Sequence, residues 1–161
     1  MAGTGPIVVA YDATPASERA LREACSLLPG RPALVLVIWK PDLPFELIAL
    51  PASAIGLPPA QLDVRAVREA GESIYDRARR AAEQAASLAR DLGLDAAPLV
   101  VADDPEVPVQ DTIVSVARER DADAVVVGAH AHGPILGSVS RGVIRAAPCA
   151  VVVVREDVRK D

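Results

Sequence analysis

The stretch VVVGAHAHGPILGSVSRGVIRAAPCAVVVV, residues 125–154, decides how this chain folds. It continues an apolar run that starts at Ala124 and reaches Val127, then enters a glycine-containing loop from Gly128 to Gly137. Ser138-Val139-Ser140 opens a short helix that runs through Ile144 to Ala147, and a second β-branched run, Cys149 to Val154, closes the segment. Both runs are too short for helices, and their unbroken apolarity is that of strands buried on both faces. The passage between them also suits an anion. The first N–H groups of a helix have no intrahelical partner and carry a partial positive charge. Ser138 and Ser140 add hydroxyls, and Gly137 lets a ligand come close to the backbone.

Working outward, the same alternation covers the rest of the chain. Ile7 to Tyr11 reads as a strand ending at Asp12, and Ala13-Thr14-Pro15 as a turn. A helix follows from Ala16 or Ser17, with Ala20, Leu21, Ala24, Cys25 and Leu28 at helical spacing, and Pro29-Gly30 stops it. Ala33 to Trp39 is a second strand. A proline-rich connection from Lys40 to Pro59 follows, with Leu43, Phe45, Leu47, Ile48, Leu50, Ile55 and Leu57 in it. Structureless connections of that length are unusual, and its apolar content suggests that it lies against something. Pro58-Pro59 leads into a helix of about 30 residues, down to Gly93, which Gly71 could divide. Pro98 to Ala102 reads as the third strand, and Val109, Ile113, Val116 and Ala117 mark the third helix, which ends at Glu119-Arg120-Asp121. The order βαβαβαβαβ, with continuous apolar strands, predicts one domain over residues 1–161 with its core at about 6–155. It is a doubly wound parallel sheet covered by helices on both faces, with ligands at the carboxyl ends of the strands.

Composition excludes several functions. The chain has 161 residues, 51% of them apolar and 24% charged, enough for a real core. Its aromatics amount to 2% (Tyr11, Trp39, Phe45 and Tyr75), too few for the stacking platforms of single-stranded nucleic-acid binders. A net charge of -5 argues against duplex partners. The charge-free stretch Leu47 to Leu62 contains three prolines and is too short for a bilayer. Met1 to Pro6 has no basic or apolar leader pattern, so the expected location is cytoplasmic. Lys40 and Lys160 are the lysines, and neither follows a glycine as a Walker-type phosphate loop requires.

The closing Gly-Ser-Val-Ser (137–140) and Ala-Pro-Cys-Ala-Val-Val-Val-Val (147–154) resemble the universal stress protein family. So do the opening strand with Asp12, the Ser-x-x-Ala-Leu helix (Ser17, Ala20, Leu21) and the Val-Val-Val-Gly strand. The resemblance implies a five-stranded sheet in the order 3-2-1-4-5 and a homodimer formed through the last strand, Ala150 to Val154. It implies ATP, with Mg²⁺, as the cofactor to test, and a role as a stress-response sensor. By matched position, base or ribose contacts fall on Asp12, Ile38, Val127 and Gly128, and phosphate contacts on Gly137, Ser138, Val139 and Ser140. The ATP-binding pattern of the family is Gly-x2-Gly-x9-Gly-Ser/Thr, and this chain departs from it twice. Ala131 stands at the second glycine, and the residues from His132 to Leu136 make the loop four shorter. A second reading follows from those departures: an interaction module without a nucleotide, whose 43–57 segment contacts a protein partner.

Other residues that could carry chemistry have simpler readings. Asp12 could cap the first helix or order its own turn. His130 and His132 could bind a metal or a phosphate, but with no third ligand nearby they read as solvated, and no metal is expected. Cys25 and Cys149 read as buried small hydrophobes, Arg141 and Arg145 as surface residues, and Asp103-Asp104 as a solvated loop in preference to a cation contact. No Ser-His-Asp arrangement and no locally paired Cys is present, which predicts a binding protein and not an enzyme.

Overall fold

The computed structural model describes residues 3–40, 64–129 and 136–155, with backbone alone for 64–73. Among the described residues nine elements alternate: β1 (Ile7–Ala10), α1 (Pro15–Leu27), β2 (Pro32–Trp39), α2 (Val64–Asp91), β3 (Asp95–Ala102), α3 (Val109–Glu119), β4 (Ala124–Ala129), α4 (Ser138–Ala146) and β5 (Ala150–Arg155). The strands form one sheet in the order β3-β2-β1-β4-β5, and every neighbouring pair is parallel. This is the expected doubly wound sheet.

Its layers follow from the period of two along each strand. Ile7 and Val9 of β1, with Ala33, Val35 and Val126, face α1 and α2 and meet Leu21, Ala24, Cys25, Ala85 and Ala89. The alternate residues Val8, Leu36, Val125 and Val127 face the other way, toward Ile113, Val116 and Ala117 of α3 and Val143 of α4. Both faces of the central strands are therefore dry, which explains their unbroken apolar sequence. Helices α1 and α2 meet the sheet largely through alanine, whose short side chain brings a helix axis close to the strands, whereas α3 and α4 use Ile113, Val116 and Val143.

Local chemistry sets the ends. Thr14 caps α1 by accepting from the Ser17 N–H at 3.3 Å, and Pro15 occupies the first turn, where no N–H is needed. Helix α2 runs unbroken through Gly71 for 28 residues and stops at Gly93, whose φ of 102° is a left-handed exit. At the amino edge of the sheet, Arg31 donates to the Gly5 carbonyl at 2.9 Å and pairs with Asp123, tying the approaches to β1, β2 and β4 together.

Several boundaries differ from the sequence reading: β1 ends at Ala10, α1 begins at Pro15, β2 begins at Pro32 and the last helix ends at Ala146. Strand β3 begins at Asp95, three residues before Pro98, because it pairs with β2 from Pro32↔Asp95 onward. Pro98 is tolerated because β3 lies at the sheet edge, where a missing N–H breaks no second ladder. Strand β4 runs on to Ala129, so Gly128 lies in the sheet opposite Val154 and not in a loop. Strand β5 starts at Ala150 and includes Arg155. The predicted helix start at Pro58-Pro59 and the 43–57 segment lie outside the described residues.

A candidate ligand cleft at the carboxyl rim of the sheet

The chain order reverses between β1 and β4, where crossovers leave for opposite faces and open a crevice at the strand ends. A cavity of about 530 Å³ lies there. All eight residues singled out from the sequence line it: Asp12 after β1, Ile38 in β2, Val127 and Gly128 in β4, and Gly137, Ser138, Val139 and Ser140 at the start of α4. Leu36, Val109, Ile113 and Ala129 complete an apolar wall, and Tyr11, Thr14, Ser17 and Lys40 add polar groups.

Asp12 is held by the turn it begins. Its carboxylate accepts from the Thr14 N–H at 3.1 Å and the Thr14 hydroxyl at 2.5 Å. The Ser17 hydroxyl donates to the Thr14 carbonyl at 3.0 Å and accepts from the Asp12 N–H at 3.3 Å. Ala13 sits between them at a φ of 60°, a left-handed conformation that this network supports. The turn reading of Asp12 therefore holds, the helix cap being Thr14, and Asp12 lines the cleft as well.

The two glycines do different things. A Cβ on Gly128 would lie 2.5 Å from the Ala16 carbonyl oxygen and 2.6 Å from its carbon, so glycine there seats the first turn of α1 against β4. Gly137 has no such neighbour: a Cβ would meet nothing within 4 Å, and its φ of -62° suits any residue. It stands at the N-cap of α4 without a side-chain cap, and the first helical bond is Arg141 N–H to the Gly137 carbonyl at 3.1 Å. The N–H groups of Ser138, Val139 and Ser140 precede that bond and have no intrahelical acceptor. Ser140 is buried and Ser138 exposed.

Lys40, the residue after β2, is the cationic side chain among the described lining residues, and its Nζ lies 3.8 Å from Asp103. That carboxylate is only 11% exposed, and its second oxygen is buried without a hydrogen bond. Asp103 is therefore not the solvated residue expected from the sequence, because the end of β3 packs beside β2. Asp104 is exposed and orders the next turn through the Glu106 N–H at 3.0 Å.

Tyr11 titrates above its ordinary range because it is partly buried, with Glu18 and Asp12 adding to the effect. Burial also raises the thiols of Cys25 and Cys149; Cys25 is a core residue and Cys149 only half-buried. Arg141 and Arg145 are exposed. Among the described residues, no three His, Cys, Asp or Glu side chains converge as a metal site would require, and no helix is long and apolar enough to cross a membrane. His130, Ala131 and His132 lie outside the described residues.

Thr14, Ser17, Lys40, Val109 and Ile113 were missed as cleft residues. A signal existed for Lys40, since in a parallel sheet the residues that follow each strand share one rim.

Fold and cleft together define a doubly wound α/β protein with a ligand-sized crevice at its switch point. The sequence profile of the Universal stress protein family matches residues 3–155, and the chain belongs to that family. Solved structures agree. The universal stress protein from Archaeoglobus fulgidus in complex with dAMP is 27% identical, with a TM-score of 0.56 over 93% of this chain and 97% of that one. A family member from Arabidopsis thaliana with AMP bound has the same fold at 15% identity, with a TM-score of 0.62 over 97% and 94%. A universal stress protein in complex with cAMP matches at 22% identity, with a TM-score of 0.58 over 93% and 96%.

Proposed function

We propose that the cleft binds an adenine nucleotide and that the protein works as a nucleotide-responsive stress protein. The observation that carries this reading is the meeting, in one cavity, of an apolar wall and an uncapped helix amino end. The volume lies within the roughly 300–1,000 Å³ usual for small-ligand sites. Leu36, Ile38, Val109, Ile113 and Val127 offer the flat apolar surface that a purine needs, and the N–H groups and hydroxyls at 137–140 offer phosphate donors. The dAMP, AMP and cAMP complexes of similar structures support the same ligand class. A bound nucleotide would supply no chemistry of its own here; its occupancy is the signal. We read the chain as a binding protein, not an enzyme, acting in the cytoplasm. Mg²⁺ enters only as the usual companion of a polyphosphate.

Strand β5 is the proposed route to a homodimer. It stands at the sheet edge, and Val151, Val152 and Val153 are only half-buried there. A twofold partner would cover an apolar edge that otherwise invites aggregation.

Calorimetric titration with AMP and with ATP and Mg²⁺ tests the main reading, using Gly137→Val as the control. Valine adds bulk where the protein itself has open space, so binding should fall by at least about tenfold, while the poorer N-cap lowers the melting temperature by only about 2–4 °C. Absence of heat with either nucleotide up to millimolar concentration would refute the reading.

A further inference from the structure

We infer that Lys40 is a phosphate contact of this cleft and that Asp103 positions it, both resting on the adenine-nucleotide reading. Lys40 follows β2 and lines the same cavity as Ser138, Val139 and Ser140, from the other side of β1. Alone, such a lysine is a poor contact. It is 71% exposed on a flexible four-carbon stem, and ordering it against a ligand costs side-chain entropy. Asp103 changes that balance. Its N–H donates to the Trp39 carbonyl at 2.8 Å, which carries the pairing of β3 with β2 past the strand ends. The carboxylate thereby comes to lie beside Lys40, with one oxygen 3.8 Å from Nζ. It is largely buried, and its other oxygen has no hydrogen bond among the described residues. Asp103 is therefore a fixed charge, weakly screened by water and not spent on other donors. A separation of 3.8 Å is too long for a hydrogen bond, so the carboxylate restrains the ammonium by charge and leaves its N–H donors to a ligand. A lysine restrained before the ligand arrives loses less freedom when it binds.

The test is calorimetry with AMP and with adenosine, at low and at physiological ionic strength. Lys40→Met keeps the stem and removes the charge. It should weaken AMP by about fivefold or more and leave adenosine within about twofold, because adenosine has no charge for Lys40 to meet. Lys40→Arg, which keeps the cation, should recover most of the AMP affinity. Added salt should erode AMP binding more in the parent than in Lys40→Met. AMP affinity unchanged by Lys40→Met, or an equal loss for adenosine, would overturn the contact and leave the nucleotide reading standing. Failure of the parent to bind either AMP or adenosine would overturn both.

Asp103→Asn tests the positioning role, since it keeps the shape of the side chain and removes its charge. In that background the loss of AMP affinity caused by Lys40→Met should shrink to about twofold, because an unanchored lysine contributes less. The comparison is made between two variants that share the Asp103 change, so any general effect of that change on the cleft cancels. A loss as large as in the parent, or larger, would show that Asp103 does not position Lys40.

Discussion

Replacing Gly128 by alanine asks what that glycine is for. The added Cβ would stand 2.5 Å from the Ala16 carbonyl oxygen and 3.0 Å from the Ser17 nitrogen, whereas ordinary contact begins at 3.4 Å. Both neighbours are backbone atoms in the first turn of α1, so no side chain can swing away. The helix must retreat from β4 by most of an ångström, or β4 must bend away from the helix. Overpacking of this kind costs about 1–3 kcal/mol. At roughly 2–4 °C per kcal/mol for a domain of this size, the melting temperature should drop by about 2–12 °C. Gly137→Ser is the matched control. It adds a side chain in open space at the N-cap of α4, where serine serves as well as glycine or better by a few tenths of a kcal/mol. Thermal melts followed by circular dichroism, without nucleotide, compare the two. A Gly128→Ala protein that melts within a degree of the parent would refute the packing argument and return this glycine to a purely ligand-related role. Equal losses in both variants would refute the distinction between them.

Other consequences can be checked separately. Val152→Asp places a charge on the outer strand and should shift the protein toward monomers; an unchanged mass by light scattering, in a variant that still melts cooperatively, would count against β5 as the interface. Cys25, buried against the Ala89 turn of α2, should react with a thiol reagent only when the structure opens, while the half-buried Cys149 reacts sooner. Cys25→Ser should therefore remove the slow phase; loss of the fast phase would contradict the assignment. Tyr11 gives a pH dependence of definite sign. Its folded-state pKa lies above the ordinary 10.0, so the unfolded chain gives up the proton first. Stability is full below pH 10 and declines as pH rises from there toward the folded value. Tyr11→Phe should flatten that decline, and an unaltered slope would remove Tyr11 as its source.

Much of the architecture was legible because parallel strands buried on both faces leave no alternation to misread. Val125 to Val127 and Val151 to Val154 could be little else. The boundaries failed where edge chemistry intervened. Asp95 and Pro98 look like loop residues until β3 is known to lie at the edge, paired through one side only. Gly128 looked like the start of a loop because a sequence does not say whether a glycine admits a ligand or a neighbouring helix. Here the crossing of α1 decides the matter, and no residue near Gly128 in sequence announces it.

The cleft was legible in the same uneven way. Its 137–140 end is one contiguous motif, so a short reading captured it whole. Its other walls come from β1, β2 and α3, and their contributions are unremarkable one at a time: a lysine after a strand, or two apolar residues four apart on a helix. Thr14 and Ser17 illustrate the difference best. As letters they are a turn residue and a helix start; in space they hold Asp12 in its turn beside the cleft, coupling the start of α1 to the site. The same first turn bears on Gly128. A change that moves α1 should therefore alter both stability and affinity, whereas a change at Gly137 should alter chiefly affinity. Measured together, the two glycines separate the scaffold from the site.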